Sequence, residues 1–431
     1  MLSEKITMHK NTVTNNPFNI IVIVAALGYF VDIYDLILFG IVKDMSLKEI
    51  IWGITDPTFK LSHIQQNILI NQGASLLGIQ MMGMLIGGII WGILGDKLGR
   101  LSTLFLTILL YSIATLVNGF VHDITQYSIL RFIAGVGLAG ELGVGITLVS
   151  EVMSKESRGW GTTMVSGVGI AGAVLGYLVS TNFGWRETYY VGGGLGFVLL
   201  ILRISVYESG MFKTMKEKSV SRGNFLKLFT NGKRFKKYLF SIMIGIPVWY
   251  VIGILVIFSP QFAGKDIFNI QGTVTGGKAV MYHYIGASIG SFVTGMISQH
   301  LHSRKKAIYI ALIALLIFII CYFSSFNASS TFFYIILFML GVAQGYWAVF
   351  VTTASEQFGT NLRATVTTTV PNFVRGMTTP MTLALALGWV QVNQMWNFTV
   401  IVGIIVMSLA LYALYKMDET YGKDLDYFEE I

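Results

Sequence analysis

Charge is what this chain has least of. Only 12% of its 431 residues are Asp, Glu, Lys or Arg, against about 25% in an average soluble domain. There is one cysteine, Cys321, so a disulfide framework is excluded and the redox compartment is not readable. No His/Cys cluster has metal-ligand spacing, and no nucleophile elbow or phosphate-cradling glycine loop occurs. No enzyme activity, cofactor or metal is therefore expected. No signal-peptide core follows the polar first seventeen residues, because the next apolar run is too long and contains acids.

What is present is apolar length. Hydrophobic residues make up 54% of the chain, in runs near 18–42, 69–94, 102–120, 125–150, 160–181, 185–207, 237–262, 277–299, 306–324, 330–354, 364–388 and 395–417. Runs of this length cross a bilayer as helices. The expected fold is all-α, a polytopic membrane protein of twelve transmembrane helices in two pseudo-symmetric six-helix bundles. The bundles cover residues 1–207 and 237–417, with a basic linker at 208–236 and an acidic, solvated tail at 418–431.

The positive-inside bias orients the chain. With the N-terminus inside, the inner segments hold 21 of the 30 basic residues. Both termini are then cytoplasmic, in a cell (inner) membrane. The linker run from Lys213 to Lys237 reads as topology control and contact with anionic headgroups, not nucleic-acid binding. The expected partners are the lipid bilayer, protons and a small-molecule substrate, and the expected state is a monomer.

Charges inside the runs locate the chemistry, since a carboxylate in hydrocarbon costs roughly 2.5–3.5 kcal/mol even on a lenient scale. Asp32 and Asp35 are three residues apart and share a helix face. At about 1.5 Å per residue, Asp35 comes level with Arg131 on the antiparallel fourth span. The expected pair is a proton switch, in which protonating the acid frees the arginine. Glu141 lies further along the fourth span, either as a second proton carrier or bonded to a helix-end or side-chain donor. Arg375 lies near the middle of the eleventh span, one turn from Asn372. A planar, permanently charged fork suits a carboxylate, so Arg375 awaits either an incoming anion or a first-half acid. Trp249, Tyr250, His283, Gln344 and Trp347 could line a pocket beside it. His283 is near enough to the outer surface to be hydrated.

The two halves repeat. Glu151 precedes Arg158 by seven residues, as Glu356 precedes Arg363. Gly92-x-x-Gly95-Asp96-Lys97-Leu98-Gly99-Arg100 follows the second run, and Gly295-x-x-Ser298-Gln299-His300-Leu301-His302-Ser303-Arg304 follows the eighth. At these residues the chain resembles the major facilitator superfamily of secondary transporters. The resemblance implies a cytoplasmic gate of Asp96, Arg100, Glu151, Arg158, Glu356 and Arg363. Phe30-x-Asp32-x-Tyr34-Asp35 and Arg131-Phe132-x-x-Gly135-x-Gly137-x-x-Gly140-Glu141 resemble the first and fourth helices of its metabolite:proton and phosphate:proton symporters. Phosphate symporters place a lysine twelve residues beyond the loop arginine of the eleventh span. Organic-acid symporters place Asn and Arg nine and twelve beyond it, as Asn372 and Arg375 stand here. The seventh run also lacks a phosphate carrier's acid. The implied function is proton-coupled uptake of a small organic anion by alternating access. Amino-acid or zwitterion uptake, and sugar or drug:proton transport, remain alternatives.

Overall fold

The computed structural model describes residues 20–56, 59–98, 100–141, 164–165, 167–208 and 225–423. In hydrocarbon every backbone N–H and C=O needs an internal partner, which a helix supplies within one segment. The helices are α1 (Ile20–Trp52), α2 (His63–Leu98), α3 (Arg100–Asn118), α4 (Ile124–Leu138), α5 (Gly172–Phe183), α6 (Trp185–Glu208), α7 (Gly232–Tyr250), α8 (Gly276–His300), α9 (Arg304–Phe323), α10 (Ser330–Gln344), α11 (Trp347–Glu356), α12 (Thr360–Gly376), α13 (Thr378–Ala386) and α14 (Met395–Lys416). The pairs α10–α11 and α12–α13 each make one crossing, giving twelve spans in two bundles of six. Seven described helices are long and apolar enough to cross on composition alone. The eleventh span is not among them, because Thr365, Thr367, Thr368, Thr369 and Arg375 dilute it.

Capping follows chemistry at the ends. Asp123, Asn231, Thr275, Ser303 and Ser329 each accept a backbone N–H of the helix they precede, satisfying donors that a helix start leaves unpaired. α1 runs 33 residues, about 50 Å at 1.5 Å per residue. It therefore continues ten residues past the apolar run that ends at Val42. Lys43 and Ser46 are buried there, so the helix still has neighbours to pack against. α2 likewise starts six residues before its apolar run.

Exposure is inverted relative to a soluble protein. Ile201 and Ile404 are 63% and 62% exposed, whereas Asp32 is 0% and Arg375 1% exposed. Apolar residues cover the outside, where lipid would lie, and the charges face inward.

The repeat extends to backbone packing. In the first half, a Cβ on Gly83 or Gly87 would run into the carbonyls of Phe132 and Val136 on α4. In the second half, Gly286 and Gly290 on α8 stand in the same relation to Phe338 and Val342 on α10. Small residues let membrane helices approach to backbone contact, and this crossing is built twice.

The second half is also jointed. Pro247 sits inside α7, and a π-helical segment follows at Val251–Val256. Pro removes a ladder hydrogen bond, and a π-bulge absorbs the resulting mismatch. α10 gives way to α11 at Gly345–Tyr346, and α12 to α13 at Met377, two residues after Arg375.

One end of the bundle is the linker end, where α6 hands over to α7. At the other, far end the halves touch directly. Lys43 Nζ donates to Gln261 Oε1 at 3.0 Å and lies 4.1 Å from the Phe258 ring centroid. Gln261 Nε2 donates to Asp44 at 3.2 Å. The Val392 N–H donates to Asn67 at 2.9 Å; nearer mid-depth, Thr379 Oγ1 donates to the Gly78 carbonyl at 2.9 Å.

The duplicated crossing can be tested. Gly290→Leu forces a side chain into the α10 backbone and is expected to destabilise by about 1–3 kcal/mol or more. The thermal unfolding midpoint in detergent should fall accordingly. Gly194→Ala, whose Cβ would meet nothing within 4 Å, should leave it unchanged. Equal midpoints would contradict the crossing.

Candidate functional site

The site grows from one face of α1. Tyr29, Asp32 and Asp35 recur every three residues, and all are buried. α12 approaches from the other half with Arg375 in its last turn. Arg375 Nη2 lies 4.0 Å from Asp32 Oδ2, and Arg375 is the nearest countercharge acting on that acid. Arg375 Nη1 donates to Asn372 Oδ1 at 3.4 Å, and its guanidinium carbon is 5.9 Å from the Trp347 ring centroid. Asn372 Nδ2 donates to the Ala139 carbonyl at 2.7 Å, where α4 ends, and to the Thr368 carbonyl at 2.9 Å. Asn372 thus ties α12 to the first half while steadying Arg375. Gly88 makes this possible, since a Cβ there would lie 2.9 Å from Asn372 Cβ. Tyr29 and Tyr284 face the same Asp32–Arg375 pair.

This contact is long for a salt bridge. Neither Asp32 oxygen accepts a protein hydrogen bond, and Arg375 Nε has no acceptor. The pair is held near by charge but is not closed by a forked bond of the usual 2.7–2.9 Å.

Asp35 and Arg131 act on each other through charge without hydrogen-bond contact. Arg131 is the main opposing charge on Asp35, with Thr115 beside it. Arg131 lies between two rings, 5.6 Å from the centroid of Phe39 and 5.8 Å from that of Tyr189, and such faces attract a cation.

Glu141 has a side-chain donor, Arg203 of α6. Arg203 Nη1 donates to Oε2 at 3.2 Å and Nη2 to Oε1, a buried two-pronged pair. The depth rule that matched Asp35 with Arg131 also matches these two. Each lies about seventeen residues from the far end of its span, so Arg203 was findable.

Of the other pocket candidates, Trp347 faces Arg375 and approaches the Tyr29 hydroxyl. Trp249 is buried in α7. Tyr250 donates its hydroxyl to the Thr399 carbonyl at 2.8 Å, tying α7 to α14. His283 is fully buried, not hydrated, because it sits in the α8–α10 crossing. Its Nδ1 is 3.2 Å from the Leu337 carbonyl, and Gln344 is beside it.

At the linker end, the side chains of Asp96 and Arg100 and all of Glu151 and Arg158 lie outside the described residues. Glu356 turns to Arg304 (3.5 Å) and to the Thr420 hydroxyl (2.7 Å). Arg363 donates to the Phe358 carbonyl at 3.3 Å. Glu356 therefore meets Arg304, the arginine that ends the second loop motif. The start of the acidic tail is exposed at Asp418 and Glu419, as expected of a solvated segment, yet it is tied back to the second half. Glu419 accepts the Ser303 hydroxyl and the N–H groups of Arg304 and Lys305, at the start of α9. Burial pushes its carboxyl up, but the Ser303 hydroxyl and the N–H groups of Tyr421, Arg304 and Thr420 outweigh it and hold it below the usual range. A carboxylate is favoured at a helix N-terminus. Among the described residues no cluster of three or more His, Cys, Asp or Glu could hold a metal.

Comparison with known proteins meets this geometry. The model of the Major Facilitator Superfamily matches residues 25–374. The chain is 31% identical over 173 residues to a putative niacin/nicotinamide transporter of Bacillus subtilis, covering 39% of this chain and 43% of that protein. It is 30% identical over 216 residues to a benzoate transport protein of Acinetobacter baylyi, covering 48% and 42%. These alignments span less than half of either relative. A gentisate transporter of Corynebacterium glutamicum is 25% identical over 416 residues, covering 91% and 86%. In fold, the chain superimposes on the proton:xylose symporter XylE with a TM-score of 0.67 at 16% identity, covering 94% of this chain and 97% of that one. With a family model spanning most of its helices and this fold, the chain belongs to the Major Facilitator Superfamily, a family of membrane transporters and not of enzymes.

Proposed function

We propose that this protein is a proton-coupled symporter that takes up a small carboxylate-bearing metabolite by alternating access. The observation that carries the reading is the long Asp32–Arg375 contact, made by one charge from each half. Breaking a buried pair by removing one partner costs about 3–5 kcal/mol, because the other charge is left uncompensated. Protonating Asp32 alone strands Arg375. Admitting an anion alone strands Asp32. When both arrive together, the carboxylate replaces Asp32 on the guanidinium and the site stays neutral. Coupling then follows from charge balance, with Arg375 and Asn372 holding the anion and Asp32 the proton.

Two further points support a carboxylate. The benzoate, gentisate and niacin relatives carry small ring acids in their names, and Trp347 places an aromatic ring 5.9 Å from the Arg375 guanidinium here. A zwitterion is distinguished from a simple acid by the proton, because its ammonium group could balance Asp32 in the proton's place.

In this reading the N-terminus and linker are cytoplasmic, as the Lys/Arg bias indicates. The far end is then the outer side, and its cross-half contacts at Lys43, Asp44, Gln261 and Asn67 are the closed outer gate. Arg304, Glu356 and Glu419 organise the inner end of the second half.

Two outcomes are expected in proteoliposomes. Asp32→Asn should abolish the response of benzoate, gentisate or nicotinate uptake to an imposed pH gradient while sparing exchange of internal for external substrate. Gradient-driven uptake surviving in this variant would remove Asp32 from coupling. Arg375→Ala should weaken binding of the transported acid about 10- to 100-fold, the value of one or two charge-assisted hydrogen bonds. Unchanged affinity would refute the anion site. A thermal-shift comparison of each acid with its amide checks the class directly. Stabilisation by the acid alone is expected, and stabilisation by the amide alone would reject a carboxylate.

A further inference from the structure

We infer that Arg203 is a positioning residue for proton binding. It neutralises Glu141 so that Asp32 faces a balanced field and titrates as the coupling acid. This rests on the reading of Asp32 as the proton site, and it deepens that reading.

Gly28 lies one helical turn before Asp32 on α1. A Cβ at Gly28 would collide with Arg203 Nη2 and lie 2.7 Å from Glu141 Oε1. The Glu141–Arg203 pair therefore rests on the α1 backbone beside the proposed proton site. Both side chains are buried, with 2% and 9% of their surface exposed. Both donors of the guanidinium fork on Glu141 are used. Asp32 experiences charges from Arg375, Glu141 and Arg203. The other titratable groups turned toward this region are Tyr29 and Asp35 on α1, Tyr111 on α3 and Tyr284 on α8.

The sign of each charge dictates what removal does. With Arg203 gone, Glu141 is an uncompensated anion close to Asp32. A like charge makes ionisation of Asp32 harder, so Asp32 keeps its proton to higher pH. With Glu141 gone, Arg203 is an uncompensated cation, and Asp32 loses its proton at lower pH. With both neutral, the two effects cancel. A pair that merely braces α4 against α6 behaves otherwise, since all three variants would then shift the same way or not at all.

The experiment needs only protons as ligand. The carboxylic-acid C=O stretch of purified protein is followed by infrared difference spectroscopy across a pH titration, with the Asp32 component assigned by its loss in Asp32→Asn. Arg203→Gln is expected to raise the midpoint of that component by about one pH unit, and Glu141→Gln to lower it by a similar amount. The double variant Glu141→Gln/Arg203→Gln should return to the wild-type midpoint. If the uncompensated single variant Arg203→Gln does not fold, the downward shift of Glu141→Gln and its reversal in the double variant carry the same expectation. Shifts of the same sign in the two singles, or a double variant as far displaced as either single, would overturn the inference. If no component of the titrating band is lost in Asp32→Asn, the proton-site reading on which it rests is overturned instead, and the inference with it.

Discussion

Opposite charges in a low-dielectric interior must arrive and leave together. That constraint organises the middle of this molecule. Asp32 on α1 and Arg375 on α12 stand 4.0 Å apart, one from each six-helix half, close enough to balance and too far to be locked. Around them, Asp35 faces Arg131, and Glu141 is clasped by Arg203. An uncompensated charge at this depth is costly, so the arginines cannot be separated from the acids except by exchange. A proton and an anion entering together make such an exchange without leaving either charge alone.

The backbone is built to hold this arrangement while allowing the halves to move. Within each half, glycine crossings bring helices to direct backbone contact, α2 with α4 and α8 with α10. These contacts leave no room for sliding. Between halves the ties are individual polar contacts. At mid-depth Asn372 bonds to the Ala139 carbonyl, and at the far end Lys43, Asp44 and Gln261 meet. Interfaces of this kind can be broken one hydrogen bond at a time, as rigid-body rocking requires. The joints of the second half fall where a hinge would be useful, at Gly345–Tyr346 and at Met377 beside Arg375.

Much of this was legible in the amino-acid sequence, because the bilayer imposes a coarse code. Twelve apolar runs gave twelve crossings, and the repeated loop and Glu/Arg spacings gave two halves. Depth counting placed Asp35 near Arg131, since rise per residue in a helix is fixed. What depth cannot supply is rotation about the helix axis. That is why Arg375 turned out to face Asp32 specifically, and why His283 entered a helix crossing when its position suggested hydration. Arg203 was missed for a different reason. It stands near the inner end of its span, where a basic residue reads as a topology signal. The Arg304–Glu356 pair and the Glu419 cap depend on a loop and a tail folding back. Such contacts carry no helical period by which to anticipate them.

The central claim is that anion and proton bind as one neutral unit. Isothermal titration of the transported acid into the purified protein, in two buffers of different ionisation enthalpy, counts the protons taken up on binding. At a pH above the Asp32 titration, the account expects uptake of one proton per anion bound, and its loss in Asp32→Asn. Binding of the anion with no proton uptake at any pH would contradict it.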